Sequence, residues 1–155
     1  IEAPLRVPFR PSAFEAPNAT RVPISFVHDD ETQEGLERVD RWVLEYVCRE
    51  ENLTRLFVDK KTKEDVLKMY LPLVKRDKYG STTRAKMNLD GEHQAMLWDA
   101  SDERRPLSFP DVKFGDSMCV PIVQFKSIWF SGAMWGIVQE LKHIVIREPN
   151  SVCPI

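Results

Sequence analysis

Two long runs, Met118 to Phe130 and Met134 to Ile146, are dense in Val, Ile, Phe and Trp and meet at Ser131-Gly132-Ala133. β-Branched and aromatic side chains suit a pleated, half-buried surface, and a short Gly-containing joint between two such runs turns one strand back on the other. The pattern predicts a long β-hairpin, and any fold for this chain must be built around it. Gly136, early in the second arm, marks a bulge or a close approach of another group. Trp129 and Trp135 straddle the turn, so at least one of them is expected in the core.

The elements before the hairpin are shorter. Five prolines in the first 23 residues (Pro4, Pro8, Pro11, Pro17, Pro23) each remove a backbone donor and bias the preceding residue toward extended geometry, which predicts an extended arm over residues 1–20. Val22 to Val27 reads as a strand, with Pro23 at its start or on a sheet edge. From Gln33 to Glu51, Leu36, Val39, Val43, Tyr46 and Val47 recur at three- and four-residue steps, predicting an amphipathic helix capped by Asp30 or Thr32, with Trp42 a mainly structural neighbour of the stripe. Thr62 and Asp65 have capping-box spacing and open a short helix that runs through Tyr70 until Pro72 stops it.

Beyond Gly80 the period changes to two. Ala85, Met87 and Leu89 alternate with Arg84, Lys86 and Asn88, so a strand here points one set inward and leaves the basic pair on its open face. Asp90-Gly91 signals a hairpin turn, with Gln94 to Asp99 as the returning strand and Met96 and Trp98 on one side of it. Residues 100–117 read as a long connection. The expected organisation is a single domain over residues 1–155: an arm to 20, a folded body over 21–147 and a tail over 148–155.

Composition narrows the function classes. With 43% hydrophobic and 30% charged residues the chain fits one soluble globular domain, which at this length buries roughly 70% of its unfolded surface without disulfides or metal. Cys48, Cys119 and Cys153 form no CxxC and no zinc pattern, so reduced, buried thiols are expected. Neither a membrane span nor a signal peptide is visible, and a soluble, intracellular protein is expected. The sequons at Asn18 and Asn52 stand alone and are set aside. His28, His93 and His143 lie one per element without metal-ligand spacing, and Asp90, Glu92 and His93 read as a polar hairpin tip before they read as a metal site. The six glycines build no phosphate loop, and no nucleophile elbow occurs. No enzymatic activity, cofactor or metal is expected.

Charge is segregated along the chain although its formal total is only −2. Residues 29–51 carry nine acids and three arginines, a net of −6, whereas residues 55–86 carry ten bases and four acids, a net of +6. Cations that hold a phosphate backbone, interleaved with rings on which unpaired bases stack, are what single-stranded nucleic acid needs. The ordinary alternative is a solvated charged face.

The segment MYLPLVKRDKYGSTTRAKMNL (Met69 to Leu89), followed by QFKSIWFSGAMWGIVQELKHIVI (Gln124 to Ile146), resembles the OB-fold single-stranded-DNA-binding proteins of large DNA viruses and some tailed phages. Lys75, Lys78, Tyr79, Arg84 and Lys86 match the basic stretch and strand of that family. Ile128, Trp129, Phe130, Gly136 and Ile137 match its terminal hairpin. Gln139 departs from the large aromatic or basic residue expected there, and the last eight residues carry one acid where such proteins often end in an acidic tail.

The resemblance implies a mainly β, α+β fold, an OB-like five-stranded partly open barrel with inserted helices. It also implies single-stranded DNA binding in replication, recombination or repair, in the nucleus or cytoplasm of a host cell if the protein is viral. Lys75, Arg76, Lys78, Arg84 and Lys86 are then the phosphate contacts, Tyr79 and Trp98 the stacking platforms, and Lys126 a further cation. The competing reading is a protein-interaction or structural subunit, for example a viral component, gripping partners through the Pro-rich arm and the acidic helix. Self-association and the choice between DNA and RNA are left open by the sequence.

Overall fold

The computed structural model describes residues 5–8, 10–11, 20–57, 62–78 and 80–147. Tyr79, most of the Pro-rich arm and the tail over 148–155 lie outside the described residues. In chain order the strands are β1 (Leu5–Val7), β2 (Arg21–Val27), β3 (Tyr70–Leu71), β4 (Lys75–Asp77), β5 (Gly80–Asn88), β6 (Met96–Asp99), β7 (Asp102–Leu107), β8 (Ser117–Ser131) and β9 (Met134–Arg147). The helices are α1 (Asp30–Val47), α2 (Glu50–Leu56) and α3 (Lys63–Met69).

The fold is an OB-like α+β fold. The long hairpin is its spine: β8 pairs antiparallel with β9 along their whole length, from Met118↔Arg147 to Ser131↔Met134. β1 pairs with both β8 and β2, β2 with β5, and β5 with β9 through Lys86↔Glu140. That ring of β1, β2, β5, β9 and β8 is a closed barrel rather than the partly open one expected. Closure depends on Leu5–Val7, so three residues of the segment read as an arm are a barrel strand. Pro23 pairs with Lys86 of β5 while β1 meets β2 only at Val27, so the missing N–H of Pro23 falls where β2 has a free edge.

Alternation fills the barrel. Ile24 and Phe26 of β2, Ala85 and Met87 of β5, Cys119 of β8 and Leu141, Ile144 and Ile146 of β9 point inward and are buried with Phe114. A second core lies outside the barrel, where α1, α2 and α3 cover the turn end of the hairpin. Leu36, Val43 and Val47 of α1 pack there with Phe57, Val66, Tyr70, Trp135 and Ile137. Trp135 is wholly buried, and its indole N–H donates to the carbonyl of Val66 at 2.8 Å, so the polar edge of the ring costs nothing.

Four expectations need correction. The helix over 33–51 breaks at Arg49, whose extended backbone separates α1 from α2, and the side-chain amide of Asn52 donates to the Tyr46 carbonyl at 2.6 Å. Its N-cap is Asp29, which accepts from Thr32 N–H at 2.8 Å, rather than Asp30 or Thr32. Trp42 is 63% exposed and stacks on Tyr46 instead of filling the core. Finally, β6 does not return along β5. The turn at Gly91 forms, with Ala95 N–H still bonded to the Asn88 carbonyl, but β6 then leaves to pair parallel with β9 and antiparallel with β7, a strand inside the expected loop.

The capping box at Thr62 and Asp65 is present, and α3 ends at Met69. Gly136 carries no bulge. The irregularities of the hairpin leave Lys142 of β9 unpaired opposite Ile122/Val123 and Lys126 of β8 unpaired between Phe125 and Ser127, and Gly136 instead receives an indole.

Candidate nucleic-acid interface

The charges of β5 divide as its period requires. Ala85 and Met87 are buried, while Arg84 and Lys86 stand on the outer face of the barrel. Cross-strand register places Ser25 beside Arg84, Pro23 beside Lys86 and Thr82 beside Lys75. Arg21, one step along β2, is tied by its Nε–H to Asn88 Oδ1 at 3.0 Å. Arg84 and Lys86 are therefore roughly 6–7 Å apart along one strand.

The outer face of β2 and β5 forms one side of a groove of about 660 Å³. The other side is the chain from Leu71 to Lys75 together with Trp129 and Val138 of the hairpin. Among the described residues four cations line it, Arg21, Lys75, Arg84 and Lys86, and no carboxylate does. Among the described residues, Lys75, Arg84 and Lys86 have no ion-pair partner. Glu140 is the backbone neighbour of Lys86, but its carboxylate is taken by Lys142 at 2.6 Å and Lys126 at 3.1 Å. Those contacts, the one to Lys142 foremost, hold its pKa below the usual glutamate value against the opposing effect of burial.

The segment Tyr70–Lys75 is held in place by α1. A carboxylate oxygen of Asp40 accepts both the Tyr70 hydroxyl and the Leu73 N–H, the latter at 3.2 Å. Burial raises the pKa of Asp40 above the ordinary aspartate value, with the two hydrogen bonds acting in the opposite sense and Glu37 adding to the rise. Burial, followed by the hydrogen bond and charge of Asp40, likewise drives Tyr70 far above an ordinary phenol. Tyr70 also leans on Trp135, with ring centroids 4.6 Å apart.

Trp129 is the groove's aromatic residue. It pairs directly across the hairpin with Gly136, and a Cβ on that glycine would lie 2.9 Å from the indole Nε1 and 3.0 Å from Cε2 and Cζ2. The ring thus lies on the bare backbone of β9, which only glycine permits. The other three tryptophans are engaged: Trp135 with Val66 and its aromatic neighbours, Trp42 with Tyr46, and Trp98 with His143. Trp129 has no hydrogen bond or ring contact among the described residues.

Of the residues singled out from sequence, the structure brings Lys75, Arg84 and Lys86 together. Arg76 alternates away from the groove on β4, and Lys78 is exposed just beyond it. Trp98 sits on β6 opposite Val145, at the far end of β9, where its Nε1–H donates to His143 Nδ1 at 3.2 Å. Lys126 lies at the bulge of β8, bound to Glu140, and lines a different groove against Trp42 and Tyr46 of α1. Sequence reading assigned no site role to Arg21 or Trp129. The signal for Trp129 was the Trp–Gly cross-strand pair, which a hairpin with the two-residue turn Gly132-Ala133 creates. Asp90, Glu92 and His93 are exposed at their turn, and among the described residues no three His, Cys, Asp or Glu side chains gather to hold a metal. No described helix is long and apolar enough to cross a membrane.

No family model matches the chain, and no curated protein does. Among solved structures it is similar to the single-stranded DNA-binding protein of bacteriophage Enc34, with a TM-score of 0.52, 13% identity, and coverage of 99% of this chain and 84% of that one. The Enc34 protein in complex with single-stranded DNA gives 0.49 at 12% identity, covering 94% and 84%. Bacteriophage T7 gp2.5, also a single-stranded DNA-binding protein, gives 0.49 at 9% identity, covering 99% and 93%. At such identities the likeness concerns backbone architecture: the chain shares with the Enc34 protein its fold, here a closed OB-like barrel with helices on the turn end of its longest hairpin.

Proposed function

We propose that the chain binds single-stranded nucleic acid, DNA in the first instance, in the groove between the β2–β5 face and the Leu71–Lys75 segment. The observation that carries the reading is the lining: among the described residues, four cations, three without ion pairs, around a cleft with no carboxylate. Lys75, Arg84, Lys86 and Arg21 neutralise phosphates, and a base stacks on the free face of Trp129. Such contacts read backbone and ring faces and not base edges, so the binding is sequence-tolerant. The fold shared with a phage protein named for single-stranded DNA binding makes that ligand the first to test. On this reading the protein acts without catalysis or cofactor, as one domain, in replication, recombination or repair.

Salt dependence is the test. Each phosphate neutralised on a single strand contributes a slope of about −0.7 in log K against log salt, so four cations give about −2.8. Raising salt from 50 to 200 mM should then weaken binding of a labelled oligonucleotide by about fiftyfold. A Lys75/Arg84/Lys86 triple alanine should bind weakly with a slope near −0.7. Equal slopes in the two proteins would overturn the reading.

One observation favours a protein contact in addition. Trp42, 63% exposed on the acidic helix α1, borders an apolar groove with Tyr46, Phe125 and Ile128, away from the cationic cleft. A Trp42→Glu variant that still binds DNA but fails to pull down a replication partner would mark that surface.

A further inference from the structure

One buried side chain of the cationic groove keeps a polar atom unused. Gln139 of β9 is only 4% exposed, and it lines the groove. It stands where β5 and β9 part. The two strands share one backbone pair, Lys86↔Glu140, and next to it the Gln139 side chain takes over the link. Its Nε2 donates to Thr83 Oγ1 at 3.1 Å and to the Arg84 carbonyl at 3.0 Å. A carbonyl only accepts, so the amide nitrogen faces β5 and the amide oxygen is the end left over.

That oxygen, Oε1, accepts no hydrogen bond among the described residues. Nor is it sealed. Among the described residues the buried side-chain polar atoms with neither a partner nor access to solvent are His28 Nε2 and Ser117 Oγ. Oε1 therefore opens on the groove as a bare acceptor whose direction is fixed by the two bonds to β5. The same geometry accounts for the residue type at a position where sequence suggested an aromatic or a base. A ring has no pair of donors for β5, and lysine or arginine has no acceptor for the groove; a carboxamide has both. The hydroxyls on the lining are less selective: that of Ser25 rotates to donate or accept, and that of Thr82 donates to the Lys75 carbonyl at 3.3 Å.

We propose that Gln139 reads one base of the bound strand at its edge, accepting from the exocyclic amine of adenine or cytosine and disfavouring thymine, which carries a carbonyl in that place. This rests on the nucleic-acid reading of the groove and adds to it. The four cations and Trp129 are indifferent to sequence, whereas a fixed acceptor is not. Ala85, Ile137 and Val138 give the groove apolar walls, so a base without the amine leaves Oε1 dry and unpaired. Gln139 lies three residues from Gly136, about 10 Å along β9, so the base it meets is a neighbour of the one stacked on Trp129.

The test alters the ligand before the protein. Labelled homopolymers of deoxyadenosine and of the deoxynucleoside of unsubstituted purine carry the same phosphates and similar rings, but the second lacks the amine. A homopolymer also presents the same base to Gln139 in every register. Wild type should bind the adenine strand about fivefold more tightly than the purine strand, the worth of one net hydrogen bond, with equal salt slopes. The cytosine strand should lead the thymine strand by a similar factor. Gln139→Lys keeps donors for Thr83 and Arg84 but has no acceptor, so its adenine-to-purine ratio should fall to about one. Equal wild-type affinities within either pair overturn the inference and leave the groove reading intact, and that comparison decides even where the lysine variant does not fold. A preference for adenine over purine that persists in a folded Gln139→Lys protein also overturns it. Absence of binding to all four strands at low salt overturns the inference together with the nucleic-acid reading.

Discussion

Substituting Gly136 by alanine adds one methyl group and changes no charge. In the structure that methyl would sit 2.9 to 3.0 Å from three atoms of the Trp129 indole. Carbon–carbon contacts are optimal near 3.5–4.0 Å, so the ring must lift by roughly 0.5–1 Å or swing aside. Because Trp129 is half-buried and borders open space, the stability cost should fall at the low end of overpacking penalties, about 1 kcal/mol. The effect on binding should be larger than that cost suggests. A base stacked on an aromatic ring contributes ~1–3 kcal/mol, and tilting the ring forfeits much of it, an expected loss of about tenfold in affinity. The cations are untouched, so the salt slope should stay at the wild-type value. Fluorescence anisotropy at several salt concentrations measures both quantities, and thermal melting checks that the alanine strains the hairpin. If Gly136→Ala melts lower yet binds as wild type, the indole is not a stacking platform. If it binds less tightly with a shallower slope, the glycine positions cations and the role given to Trp129 is wrong.

Other variants separate the remaining assignments. Lys126→Ala should leave oligonucleotide affinity and salt slope within about twofold of wild type, because its ammonium is bound to Glu140 outside the groove; a loss as large as that of Lys86→Ala would redraw the site. Asp40 has a raised folded-state pKa, so the folded protein holds its proton to higher pH than the unfolded chain does. Its contribution to stability is therefore fully present below the ordinary value of 3.8 and fades as pH rises through the folded value. Asp40→Asn keeps an oxygen for Tyr70 and Leu73 but cannot titrate, so its stability relative to wild type in urea should improve between about pH 4 and pH 7. A constant difference across that range would refute the account. Asp40→Ala leaves the Leu73 N–H and Tyr70 hydroxyl without their acceptor and should cost about 2–3 kcal/mol, read from the urea midpoint.

Much of the local structure is legible in the sequence because the information is local. The capping box of Thr62 and Asp65, the alternation that sends Arg84 and Lys86 outward, and the hairpin centred on Gly132 each depend on residues a few positions apart. So does the buried stripe of α1, although nothing in that period distinguishes Trp42, one step off the stripe, from a core residue. The sequence by itself therefore determined the periods, the capping box of α3, the sign of each charged segment and which face of each strand is apolar.

Tertiary structure decided which strands meet. A two-residue turn at Asp90-Gly91 favours pairing of β6 with β5, but the exposed edge of β9 offers Leu97 a place beside Ile144 in the barrel core, and that non-local burial prevails. Closure by Leu5–Val7 depends likewise on partners more than 100 positions away. The shared groove has the same origin: Arg21, Lys75, Lys86 and Trp129 come from four separate segments, and only the pairing of β2 with β5, of β3 with β9 and of β8 with β9 brings them to one cleft. Periodicity specifies the direction in which a side chain leaves its own strand. It does not specify the neighbouring strand, because that choice is made by the total apolar surface the whole chain removes from water.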